Sequence, residues 1–107
     1  MKRVILKLSG EALSQNGIGI CAANVKNIAQ EVKDLYNQKI SIGIIVGAGN
    51  IWRGRQCGKM NRVRADHMGM LATVINCLAM QDALIRQGQK AITMSAQPME
   101  AFAETYS

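Results

Sequence analysis

At 107 residues, 49% of them apolar, the chain is long enough for one hydrophobic core, and we expect a single domain spanning residues 1–107. The formal net charge is +6, but only 4% of residues are aromatic, too few for the stacking platforms of single-strand nucleic-acid binders. No apolar run reaches the ~18 residues of a membrane span, and Lys7 and Gly10 interrupt the opening "MKRVILKLSG" too early for a signal peptide, so no membrane partner and a cytoplasmic location are expected.

The first predicted element is "RVILKL", a short and nearly continuous apolar run of the kind found in strands covered on both faces. A glycine-containing, polar connection, "SGEALSQNGIGI", follows. From about Asn24 the spacing predicts a helix, with Val25, Ile28, Ala29, Val32, Leu35 and Tyr36 on one face and Lys26, Gln30, Lys33 and Asp34 on the other. "ISIGIIV" reads as a second buried strand that ends at the glycine loop "GAGNIWRG". A second helix is predicted from Asp66, in the N-cap position, to about Gln87. Between Met68 and Met80 its polar exceptions are Thr73 and Asn76, so it should be buried all round, either by its own chain or against another subunit. "KAITMS" reads as a third strand. Strands alternating with helices of this length give parallel βαβ units, hence an α/β fold with a parallel sheet and helices on both faces.

Ligands of parallel sheets bind where strands end at their carboxyl edge, and two loops leave such ends here. In "KLSGE", Lys7 sits within the apolar strand, and Ser9 and Gly10 open the turn. In "GAGNIWRG", small residues allow backbone N–H groups to approach an anion, and Arg53 offers a planar fork for phosphate oxygens. A phosphate-bearing small molecule is therefore the expected partner, rather than nucleic acid. A solvated basic loop remains the alternative, as does a Lys7 that merely snorkels outward. Neither loop is a G-x-G-x-x-G or a P-loop motif. Asp66 suits either a helix cap or an acceptor for sugar hydroxyls, and His67 reads as a surface residue. Cys21, Cys57 and Cys77 are odd in number and widely spaced, against a disulfide framework and against a zinc site. Cys77 reads as a small core residue, and the other two as incidental thiols. No nucleophile–histidine–acid grouping stands out.

"KLSGEAL", "GAGNIWRG" and "MNRVRADHMGMLATVINCLAMQDAL" together resemble the bacterial uridylate (UMP) kinase branch of the amino acid kinase family, over essentially the whole chain. "DHMGMLAT" is the most specific stretch, because carbamate, acetylglutamate and aspartate kinases share the glycine loops but not these residues. The resemblance implies a three-layer sandwich of which this chain carries only the N-terminal, UMP-side part. It also implies ATP and UMP as substrates, Mg²⁺ arriving with ATP and no protein-ligated metal, a homohexamer, and a place in pyrimidine nucleotide synthesis.

Residue by residue, Lys7, Leu8, Ser9 and Gly10 match the loop that cradles the ATP phosphates, with Lys7 as the catalytic cation. Ala48 and Gly49 match the second loop, where Ala48 faces UMP and Gly49 the phosphates. Arg53 matches a phosphate-binding arginine, and Asp66 an aspartate on the UMP ribose. Gln15 to Gly19 resemble, in shorter form, a segment tied to GTP activation in some members. The family usually has three glycines where this chain has Gly47, Ala48 and Gly49. Contact should survive if Ala48 keeps an ordinary φ. Members are roughly twice as long, so the threonine-glycine-asparagine loop, the transfer-stabilising aspartate and most of the ATP site are expected outside this chain. On that account the 107 residues alone should not catalyse. The alternative is a nucleotide-binding or oligomerising module without activity.

Overall fold

Alternation along β1 (Lys2–Leu8) sends Val4, Leu6 and Leu8 to one face and Ile5 and Lys7 to the other. In the computed structural model, which describes residues 2–53, 58–95 and 104–105, β1 pairs in parallel with β2 (Ile40–Val46). Their register sets Leu6 beside Ile44 and Leu8 beside Val46. The crossover between them contains a short 3-10 turn (Gly10–Leu13) and α1 (Ala22–Asn37), as a parallel pair requires. After β2 come α2 (Arg62–Arg86), β3 (Met94–Ser95) and β4 (Glu104–Thr105). The parallel α/β class read from the sequence is the one the chain adopts.

The core lies between one face of the β1–β2 pair and the two helices. Leu13, Val25, Ala29, Val32, Val46, Met80 and Leu84 are buried together, with Leu6, Leu8, Ile42, Ile44 and Cys77 packed against them. Burial raises the pKa of the Cys77 thiol, as its reading as a core residue implies. Tyr36, assigned to the inner face of α1, is 51% exposed: it sits in the helix's last turn, where it borders an open cavity shared with Met80 and Leu84 of α2. Helix α1 ends where Lys39 takes a left-handed φ of 63°.

Three expectations are corrected. The first concerns coverage. Both described helices pack on the same side of the β1–β2 pair, so β1 is not covered on both faces: Ile5 is 71% exposed, and Ile45 on β2 is 55% exposed. Helix α2 likewise leaves Met68, Leu71 and Ile75 largely exposed along one side, so its own chain does not bury it all round. Its length and composition would also suit a membrane span, but its inner face packs on α1 and carries the hydrogen-bonded Asn76, which is how a core helix is used.

The second correction is the start of α2. Asn61, not Asp66, is the N-cap: its Oδ1 accepts hydrogen bonds from the Val63 and Arg64 N–H groups at 3.0 and 3.2 Å. Asp66 is already in the second turn, 3.7 Å from the Arg62 guanidinium.

The third is the strand "KAITMS", which shortens to Met94–Ser95 and pairs in parallel with β4, an element not expected from the sequence, rather than with β2. Here the Ala91 carbonyl, a group a ladder would use, is taken by a side chain instead. Gln81 of α2 donates to the Ala91 carbonyl at 3.0 Å and accepts from the Thr93 hydroxyl at 2.8 Å, tying this segment to the helix.

The cap correction has a direct test. Asn61→Ala should lower stability by about 1 kcal/mol, whereas Asp66→Ala should cost less than about 0.5 kcal/mol, the worth of an exposed i,i+4 pair. Urea denaturation of the two variants measures the difference, and the reverse ranking would restore Asp66 as the cap.

Candidate active site

The parallel register brings the ends of β1 and β2 to the same edge, and the loops that leave them touch. The Gly47 N–H donates to the Leu8 carbonyl at 2.9 Å, carrying the pairing one residue past the strands. Gly10 is buried against the second loop so closely that a Cβ there would stand 2.8 Å from the Gly49 nitrogen and 2.9 Å from the Gly47 oxygen. A Cβ on Gly47 would in turn lie 3.3 Å from the Gly10 nitrogen. These glycines allow close approach of two backbones. None of residues 47–49 has a positive φ, so Ala48 sits in an ordinary region without strain, as its N–H contact requires. The Ala48 carbonyl accepts from both Ile51 and Trp52 N–H groups at 2.9 Å, and the chain turns there.

Arg53 closes this edge. Its Nε donates to the Gly49 carbonyl at 3.1 Å, and its guanidinium pairs with the carboxylate of Glu11, from the 3-10 turn of the first loop. One guanidinium therefore joins both loops. Trp52 fixes the next stretch: its indole N–H donates to the Ala65 carbonyl at 3.1 Å, and its ring lies against Gly69 of α2.

Leu8, Ser9, Gly10, Ala48, Gly49 and Arg53 are thus assembled in one place. Lys7 is at the same strand end, and its side chain lies on the exposed face with Ile5 and Ile45. Asp66 is exposed and has no contact with the loops among those described; it follows Ala65, where Trp52 docks. The segment Gln15–Ile18 forms a tight turn with positive φ at both Asn16 and Gly17, 59° and 82°, as a type I′ turn requires. Cys57 lies outside the described residues. Among the described residues, no group of three His, Cys, Asp or Glu side chains is arranged to hold a metal ion.

Four contributors escaped the sequence reading. Glu11 and Trp52 are partners of residues that were singled out. Asn50 and Asn76 form a buried amide pair behind the second loop, at 5% and 0% exposure. Asn76 donates to Asn50 Oδ1 at 2.8 Å and to the Gly47 carbonyl at 2.7 Å; Asn50 donates back to Asn76 Oδ1 at 3.1 Å and to the Gly19 carbonyl at 2.8 Å. The only signal available was a polar residue inside an otherwise apolar helix.

Residues 2–104 match the profile of the amino acid kinase family. Uridylate kinase of Campylobacter jejuni subsp. doylei is 51% identical over 98% of this chain and 46% of its own length. Uridylate kinase of Escherichia coli O1:K1 is 50% identical over 99% of this chain and 45% of its own length. The chain spans about half the length of the curated relatives it matches. Among solved structures, the UMP kinase of Ureaplasma parvum superposes with a TM-score of 0.92 at 34% identity, covering 100% of this chain and 48% of that one. The UMP kinase of Bacillus anthracis gives 0.90 at 35% identity, covering 99% and 45%. An aspartate kinase from Synechocystis, at 18% identity and a TM-score of 0.71, shares the fold.

The loop-to-loop contact predicts that Gly10→Ala will force the loops apart and destabilise the protein by about 1–3 kcal/mol, the usual cost of overpacking. Gly17→Ala, which meets no atom within 4 Å, should cost less, through its backbone conformation alone. Thermal unfolding of the two variants checks the order.

Proposed function

The chain belongs to the amino acid kinase family, and on that basis we propose that it forms a single domain, the UMP-side part of a uridylate kinase that moves the γ-phosphoryl group of ATP to UMP and yields UDP. The observation that carries the reading is the junction of the two loops at the carboxyl edge of a parallel pair, bridged by Arg53, with Lys7 at the same strand end. About 50% identity to uridylate kinases supports UMP as the acceptor rather than another substrate of the family.

Phosphoryl transfer asks a protein for position and charge neutralisation more than for covalent chemistry. MgATP enters as the donor substrate, its magnesium held by phosphate oxygens. The N–H groups of Ser9, Gly10 and Gly49 meet donor phosphates, and Ala48 lies on the UMP side. Arg53 is pre-oriented by the Gly49 carbonyl, and a phosphate takes the place of the Glu11 carboxylate on its fork. Lys7 is not anchored in the core, and its ammonium swings from solvent onto the charge that develops in transfer. Asp66 accepts hydrogen bonds from the ribose hydroxyls. The exposed stripe of Met68, Leu71 and Ile75 meets another subunit of a cytoplasmic homohexamer.

Two substitutions in the complete protein test the assignment, read by a coupled assay for UDP. Lys7→Ala should lower kcat about 10²- to 10³-fold with little change in the KM for UMP, as expected of a charge that acts mainly in the transition state. Unaltered turnover in a folded variant removes Lys7 from the mechanism. Asp66→Asn should weaken UMP binding about ten- to a hundredfold, the worth of hydrogen bonds to a charged acceptor, and leave ATP binding unchanged. Calorimetry with each nucleotide separates the two effects, and equal UMP affinity would refute the ribose contact.

A further inference from the structure

We infer that Asn76 is a positioning residue for phosphoryl transfer, acting from α2 through Asn50 and Gly47 on the second loop; this rests on the kinase reading above. All four N–H bonds of the Asn50 and Asn76 amides are used, and no buried side-chain polar atom among the described residues is left without a partner. The bonds converge on three separate segments. Asn76 is in the middle of α2; Gly47 and Asn50 bracket Ala48 and Gly49; and Gly19 follows the Asn16–Gly17 turn. The Gly19 N–H returns a hydrogen bond to the Asn50 carbonyl at 2.9 Å, so the turn and the loop are held at two points.

This arrangement does for the loop what its own sequence does not. Gly47, Ala48 and Gly49 have almost no side chain with which to anchor themselves, and their freedom would otherwise blur the position of any N–H group aimed at a phosphate. A fully buried amide fixes the carbonyl of Gly47 and the side chain of Asn50, at either end of that stretch. Asn76 touches no reacting atom. Its effect is on where the loop stands, to which transfer geometry is sensitive.

The test uses the complete protein with Asn76→Asp, which removes both donors, and Asn76→Ser, a neutral and smaller change to be read if the aspartate variant does not fold. Amide hydrogen exchange is followed at Gly19, Gly47, Ile51 and Trp52, with β1 and α1 as internal references, alongside kcat and KM. We expect exchange at the four loop amides to rise about tenfold or more while the references hold, as for local rather than global opening. We expect kcat to fall about ten- to a hundredfold, with the KM for UMP changed less than about threefold. Unchanged loop exchange in both folded variants overturns the inference. A uniform rise across the chain overturns it too, leaving Asn76 a stability residue only. Faster loop exchange with full kcat would show that the clamp does not serve the reaction. A wild-type protein that makes no UDP, with local loosening in the variants, defeats the kinase reading while the clamp stands.

Discussion

At Gly10 the backbone of the first loop lies directly on the backbone of the second, with no space for a side chain between them. The rest of the site depends on that contact. It makes one edge from two loops far apart in sequence, and it sets the Gly10 backbone against those of Gly47 and Gly49. Parallel pairing brings the loops to the same edge, but pairing alone would leave them side by side. The missing Cβ lets them interlock, and Arg53 then joins them across the top through Gly49 and Glu11.

What could be read from the sequence was whatever repeats locally. β1 and β2 declare themselves by short apolar runs and α1 by its period, and the two glycine loops by their position at strand ends. The start of α2 did not, because Asn61 to Arg64 form an exposed first turn with Val63 as its lone apolar residue, and the pattern that marks the helix begins only near Asp66. Coverage of β1 was illegible for another reason. An apolar run looks the same whether the residues over its second face belong to the same stretch of chain or not, and here Ile5 and Ile45 are open. The shortened third strand depends on Gln81 reaching from a helix to Ala91 and Thr93, a long-range choice that no local propensity encodes. Asn50 and Asn76 are the same case, being 26 positions apart.

Helix α2 shows why that amide pair matters for more than the loop. A helix that is apolar on nearly every side has little to tell it which side should face inward, since rotation about its axis exchanges one greasy surface for another. A buried amide with three hydrogen bonds to two partner residues discriminates, because any other rotation would strand it without them. With Asn76 inward, Ala72, Val74, Met80 and Leu84 are buried too, and Met68, Leu71 and Ile75 are turned outward. Polar specificity, rather than hydrophobic contrast, sets the helix's orientation.

Cys77, next along the helix from Asn76, has a thiol that burial holds in its protonated form. Only the thiolate attacks an alkylating reagent, so partial burial slows the reaction of this sulfur chemically. Its reactivity therefore rises when α2 lifts from the core and the burial is relieved. At a fixed pH and reagent concentration, a rise in labelling rate reports that excursion, read at the residue beside the one that holds the helix in place.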